Sequence, residues 1–101
     1  MEFKNLTVKC IMNIGVISFC RPKYLNALNT ETLLELDAAI AQLEADENIY
    51  VVVITGEGKA FVSGADIYEM KDLTPDQARF FSQRAQGVFR KIELMEKPVI
   101  A

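Results

Sequence analysis

The apolar run through Tyr50-Val51-Val52-Val53-Ile54, with Thr55 behind it, constrains this chain more than any other feature. The β-branched residues are stiff at χ1 and favour extended backbone. Without polar alternation, the run suits a strand covered on both faces. It is also the longest apolar run in the chain, far short of the roughly 20 residues a membrane helix needs. No membrane partner is expected.

The flanking pattern supplies candidates to cover that strand. Leu33, Leu36, Ile40 and Leu43 recur at helical spacing, and Glu35, Asp37, Gln42 and Glu44 largely take the other face. Asn29 or Thr30 caps this helix, Glu31 lies in its first turn, and Asp46-Glu47-Asn48 closes it. Earlier, Leu6, Val8 and Cys10 interleave with Thr7 and Lys9, a half-buried strand. Met12-Asn13 makes a short hairpin to a second strand, Ile14 to Phe19, which Arg21-Pro22 ends. A loop then runs from Pro22 to Asn29.

Beyond the central run, Gly56-Glu57-Gly58 turns the chain, Ala60-Phe61-Val62 is briefly extended, and Ser63-Gly64 turns again. Asp66, with Glu69 three positions on, opens a short helix. Thr74-Pro75-Asp76 opens a longer one, striped by Ala78, Phe81, Ala85, Val88, Ile92 and Met95 and ended by Lys97-Pro98. Val99-Ile100-Ala101 begins another buried strand. The order β-β-α-β-α-α-β is that of an α/β fold. The second helix stripe and the two-sided strand lack obvious covering partners, so residues 1–101 are expected to form part of a domain rather than a whole one.

Composition removes several chemistries. With no histidine there is no Ser-His-Asp triad, no Cys-His pair and no histidine metal site. Two cysteines cannot make a Cys₄ zinc or iron–sulfur site, so no metal is expected. Cys10 and Cys20 are expected as a reduced, partly buried pair, with a disulfide as the alternative. A formal charge of −3 gives no basic stripe for nucleic acid. Met1-Glu2-Phe3-Lys4-Asn5 does not lead from a basic segment into an apolar run, so no secretory leader is expected and the location is cytoplasmic.

Four constellations could carry chemistry. Gly56-Glu57-Gly58-Lys59 follows a strand, but Ala60-Phe61 replaces the Ser/Thr and helix of a phosphate loop, which favours an ordinary tight turn. Ser63-Gly64-Ala65-Asp66-Ile67 runs a turn into a capped helix. It either leaves backbone N–H groups facing an anion or oxyanion, or merely turns and caps. Arg21 and Lys23 either meet phosphates or are solvated at the surface. Glu93 and Glu96 read as an exposed acidic face. No convincing acid–base pair is present.

Taken together, several segments resemble the enoyl-CoA hydratase (crotonase) family. They are Arg21-Pro22-Lys23 with Leu25-Asn26-Ala27-Leu28-Asn29, Val53-Ile54-Thr55-Gly56, Lys59-Ala60-Phe61-Val62-Ser63-Gly64-Ala65-Asp66-Ile67 with Glu69-Met70, and Glu96-Lys97-Pro98-Val99-Ile100-Ala101. Their order and spacing fit over essentially the whole chain, and they look most like the family's short-chain branch.

The resemblance implies a ββα spiral of which residues 1–101 are the N-terminal part of a single domain. It also implies a hydro-lyase interconverting trans-2-enoyl-CoA and 3-hydroxyacyl-CoA by syn addition and elimination of water. In such an enzyme two backbone N–H groups hold the thioester oxygen. The first maps to Ala65, while the second and the two acid–base glutamates lie beyond residue 101. Lys23, Leu25 and Ala27 match the loop that embraces CoA. Ser63, Asp66, Ile67 and Tyr68 match the substrate-contacting turn, Tyr68 standing where some relatives carry a basic residue. Lys59 matches a lysine near the CoA phosphates. No cofactor is implied beyond the CoA of the substrate, and the implied partners are that thioester and further copies in a homotrimer or hexamer. Other activities of the same fold, isomerase or hydrolase, are the alternatives, as is a non-catalytic acyl-CoA-binding or assembly piece.

Overall fold

Alternating residues fold back on themselves where Met12-Asn13 interrupts them. Strands β1 (Leu6–Ile11) and β2 (Ile14–Phe19) pair antiparallel, with Leu6 opposite Phe19 and Ile11 opposite Ile14. Met12 takes the left-handed conformation that this two-residue connection needs, φ 54°. The computed structural model describes residues 3–101; Met1 and Glu2, where the segment read for a leader begins, lie outside them.

The hairpin separates the two cysteines. Cys10 sits opposite Gly15 near the tip, whereas Cys20 follows Phe19 at the far end and its amide bonds the Asn5 carbonyl at 2.8 Å. Five rungs between them span about 17 Å, too far for a disulfide, and both thiols are free. The expected partly buried pair holds only for Cys20. Cys10 is exposed, because it lies on the outer strand at the hairpin tip. The Cys20 thiol donates to Glu57 Oε2 at 3.1 Å. That bond, with burial and the Glu57 charge, raises the Cys20 pKa above its ordinary value. Iodoacetamide at pH 8 is therefore expected to modify Cys10 several-fold faster than Cys20, since the thiolate is the nucleophile. Peptide mass spectrometry over a time course reads this, and equal rates would contradict it.

Helix α1 (Thr30–Ala45) returns the chain for a strand parallel to β2, β3 (Val51–Gly56), with Ile14 opposite Val51 and Phe19 opposite Gly56. Asn29, rather than Thr30, caps α1: its Oδ1 accepts the Thr32 amide at 2.8 Å. Leu33, Leu36, Ile40 and Leu43 are all buried, with Thr32 and Ala39 between them. The stripe was legible because its period is local. Glu35 departs from its solvated reading. Half-buried, it accepts the amides of Lys4 at 2.6 Å and Asn5 at 3.0 Å and so ties the N-terminal segment to α1. At the other end Lys97 Nζ donates to the Leu43 and Asp46 carbonyls, both at 2.6 Å, beside the Asp46 and Ile49 amides that these carbonyls also accept.

Strand β3 is less enclosed than its sequence promised. Val52 and Ile54 are buried against α1's side of the sheet, Val51 and Val53 are half-buried, and Tyr50 is exposed. Among the described residues only one face is fully covered. The other carries Ile14, Val16, Val51, Val53 and Ile100 on neighbouring rungs.

A short helix α2 (Ile67–Met70) and the longer α3 (Pro75–Glu93) lead into β4 (Val99–Ile100), which pairs parallel to β3 and completes the sheet order β1-β2-β3-β4. Thr74 and Gln77 form a reciprocal capping box across Pro75. The helix ends at Glu93, not at Lys97-Pro98. Leu94 leaves helical geometry, and the Met95 amide turns back to the Ile92 carbonyl at 3.3 Å. Of the α3 stripe only Val88 is buried; Phe81, Ala85, Ile92 and Met95 pack half-covered against the core. Ala60 to Val62 forms no strand. No described helix is long and apolar enough to cross a membrane.

Candidate active site

The loop after β2 is more ordered than a plain connection. Pro22–Tyr24 makes one 3₁₀ turn, and Leu25 and Asn26 follow in left-handed conformations at φ 51° and 58°. Asn tolerates that region well, and Asn26 is buried with its amide fully used. Oδ1 accepts the Arg21 amide at 2.7 Å, while Nδ2 donates to the Glu57 carbonyl at 2.9 Å and the Ala60 carbonyl at 2.7 Å. Gly56 makes that approach possible: a Cβ there would lie 2.5 Å from the Phe61 oxygen and 2.7 Å from Asn26 Nδ2.

The second wall is the turn Ser63 to Tyr68, laid alongside that loop. The Ser63 amide bonds the Leu25 carbonyl at 3.1 Å, the Leu28 amide bonds the Gly64 carbonyl at 2.7 Å, and the Asp66 amide bonds the Leu28 carbonyl at 2.8 Å. The last two bonds form a parallel bridge between Leu28 and Ala65. In such a bridge the residues flanking Ala65 do the bonding, so its own N–H and C=O point the other way. Among the described residues the Ala65 N–H donates to no acceptor. Gly64, at φ 137°, occupies a region that other residues rarely enter.

The free donor thus arises differently from the sequence reading, which looked to the helix N-terminus. Asp66 Oδ1 accepts the Tyr68 amide at 2.9 Å and the Glu69 amide at 3.4 Å, so two of α2's first-turn donors are taken. Asp66 Oδ2 accepts from Arg21 Nη2 at 3.1 Å. Burial alone raises the Asp66 pKa, but the Arg21 hydrogen bond, the Tyr68 and Glu69 amides and the Arg21 charge outweigh it and hold the carboxyl below its ordinary value. Arg21 itself meets neither expectation. Its side chain is only 9 % exposed, donates also to the Ala27 carbonyl, and lies 4.6 Å from the Tyr24 ring centroid. It is a strut between the two walls, neither a phosphate contact nor a solvated surface group.

Between these walls lies a cleft of about 340 Å³. Lys23, Leu25 and Ala27 line it from the loop, and Ser63, Ala65, Asp66, Ile67 and Tyr68 from the turn. Of the nine residues that the resemblance assigns to the site, only Lys59 is outside this lining. It sits on the bend after β3, and the glycines there make the tight turn expected. Tyr24 lines the cleft too and was missed; its signal is an aromatic ring beside Arg21 and Lys23, whose Nζ is 5.7 Å from the centroid. Glu93 and Glu96 are exposed, as read. With Asp66 occupied, the cleft offers a hydrogen-bond donor, apolar walls and a lysine, but no spare carboxylate.

The α/β sheet thus carries a ligand-sized cleft whose lining includes Ala65 with its backbone N–H unpaired, a geometry able to hold a polar oxygen by main-chain donation. The chain belongs to the enoyl-CoA hydratase/isomerase family, whose sequence profile matches residues 10–101. It is 45 % identical over its full length to a short-chain-enoyl-CoA hydratase of Clostridium acetobutylicum, covering 39 % of that protein. It is 44 % identical to a crotonyl-CoA hydratase of Syntrophomonas wolfei, again over the whole chain and 39 % of the relative. The crystal structure of an enoyl-CoA hydratase from Bacillus anthracis superposes with a TM-score of 0.92 at 30 % identity, over 95 % of this chain and 38 % of that one. The chain therefore spans about two-fifths of the length of the relatives it matches, and the crotonase-like α/β fold is established over that span.

Proposed function

We propose that this segment is the N-terminal part of a single hydratase domain and supplies one oxyanion donor and part of the CoA site. The observation that carries the reading is the Ala65 N–H, unpaired and in the lining of the cleft. Adding water to a trans-2-enoyl thioester puts negative charge on the thioester oxygen as an enolate forms. A fixed N–H aimed there stabilises that charge without reorganising. In this reading Ala65 holds the oxygen, Ser63, Ile67 and Tyr68 line the path of the thioester, and Leu25 and Ala27 bracket the CoA arm. Lys23 meets the phosphates, with Lys59 contributing from the β3 bend. The second donor and the acid–base carboxylates come from outside residues 1–101. No cofactor is required beyond the substrate's CoA, and the setting is a cytoplasmic homo-oligomer in fatty-acid or butanoate metabolism.

The test is a chimera in which residues 1–101 replace the matching part of the Clostridium acetobutylicum relative. It is expected to hydrate crotonyl-CoA within about tenfold of the parent, while the 101-residue chain alone shows no hydration, since losing one donor typically costs roughly 10²–10³-fold and losing acid–base groups costs more. A folded but inert chimera, or one that isomerises or hydrolyses acyl-CoA instead, overturns the hydratase reading. Within the chimera, Lys23→Ala is expected to raise KM several-fold with kcat little changed, because a phosphate contact far from the reacting carbon binds ground and transition states about equally. A fall in kcat at constant KM would place Lys23 elsewhere.

A further inference from the structure

Asp66 followed three residues later by Glu69 has the spacing of a capping box, in which the glutamate would turn back to the Asp66 amide. It does not, because that amide is already bonded to the Leu28 carbonyl. Glu69 reaches α1 instead. One carboxylate oxygen accepts the Thr30 amide at 2.9 Å and the other accepts the Thr30 hydroxyl. Thr30 is the first residue of α1, where the helix dipole favours an anion.

The consequence lies at Ala65. The stretch Gly64 to Glu69 is fastened at both ends to one contiguous stretch, Leu28 to Thr30: Leu28 holds Gly64 and Asp66, and Thr30 holds Glu69. Thr30 opens a sixteen-residue helix whose stripe is buried, so the anchor is stiff. Gly64 would otherwise rotate freely, and the peptide plane it shares with Ala65 sets where the N–H points. We propose that Glu69 is a positioning residue for the Ala65 N–H, an inference that rests on the oxyanion reading above. It is not a proton-transfer group. Both its oxygens are engaged, and it lines a separate hollow with Thr30 and Leu73 rather than the cleft that Ala65 lines.

The experiment is ¹⁵N relaxation on the chimera with Glu69→Gln and Glu69→Ala, set beside turnover of the same variants. Gln retains one acceptor and is the variant that guards against a collapse of α1; core amides such as Val52 report folding. The expected result is an Ala65 order parameter falling from about 0.85 toward 0.6 in Glu69→Ala, less in Glu69→Gln, with Val52 unchanged. In the chimera kcat should fall about tenfold for Ala and about threefold for Gln, at near-constant KM. An Ala65 N–H that stays rigid in both variants, or a kcat that does not move when it loosens, overturns the positioning role. The oxyanion reading fails by a different observation, a folded Ala65→Pro chimera with normal turnover, so the two failures are distinguishable.

Discussion

Ala65→Pro in the chimera is expected to lower kcat/KM by roughly 10²–10³-fold, while Ala65→Gly stays within a few-fold of the unsubstituted protein. The separation follows from which atom does the work. Proline removes the backbone N–H and glycine keeps it. One oxyanion donor is worth about 2.7–4 kcal/mol of transition-state stabilisation, and each 1.36 kcal/mol is tenfold in rate. Proline at this position also spares the fold's own pairing. The bridge to Leu28 uses the Gly64 carbonyl and the Asp66 amide, and the Ala65 N–H takes part in none of it. The residue placed before the proline is Gly64, the residue least restricted by the following ring. Steady-state kinetics on crotonyl-CoA, with circular dichroism to establish folding, decide the matter. A folded Ala65→Pro enzyme of near-normal kcat/KM would remove the oxyanion assignment and most of the mechanism with it.

What the sequence disclosed, and what it did not, divides along chain separation. The α1 stripe, the Thr74 cap and the Met12-Asn13 hairpin were legible because each rests on residues within a few positions of one another. Eight of the nine singled-out residues line one cleft because the motifs that carried the resemblance are the loop and the turn themselves. Long-range pairing was not legible. Arg21 and Asp66 are 45 positions apart, and nothing in the spacing of either announces the other. Glu35 and Glu69 were placed by local pattern, and both serve distant backbone amides instead. The Ala65 N–H is left unpaired by its bridge to Leu28 rather than by a helix N-terminus, and a single bridge residue leaves no periodic trace in the sequence. β3 misled differently: its uninterrupted valines report what both faces could bury, whereas the described residues cover only one.

Arg21→Met is expected to destabilise the chain by about 3 kcal/mol at pH 7, the lower end of the cost of breaking a buried pair, because the cleft leaves Asp66 part of its solvation. For a chain of this size that lowers Tm by about 12–24 °C. The methionine preserves packing volume over Tyr24, so the loss reports the charge and the bonds to Asp66 and Ala27 rather than a cavity. Adding Asp66→Asn should recover much of it, since the amide can still accept from Tyr68 and no longer buries an unpaired charge. The pH dependence fixes the sign. The folded Asp66 pKa lies below its ordinary value, so its stabilisation is complete above the unfolded value of about 3.9 and is lost as pH falls through the lower, folded one. Without Arg21 the burial effect remains and the strongest opposing contact, the Arg21 hydrogen bond, is gone with its charge, so the variant's carboxyl titrates higher. The gap between the two proteins should therefore be constant from pH 7 to about pH 5 and narrow below pH 4, where protonation removes the charge that Arg21 answered. Urea denaturation across that range measures it. A gap that persists undiminished at pH 3 would show that Arg21 holds the two walls through its stem, its ring contact and the Ala27 carbonyl, with the ion pair incidental.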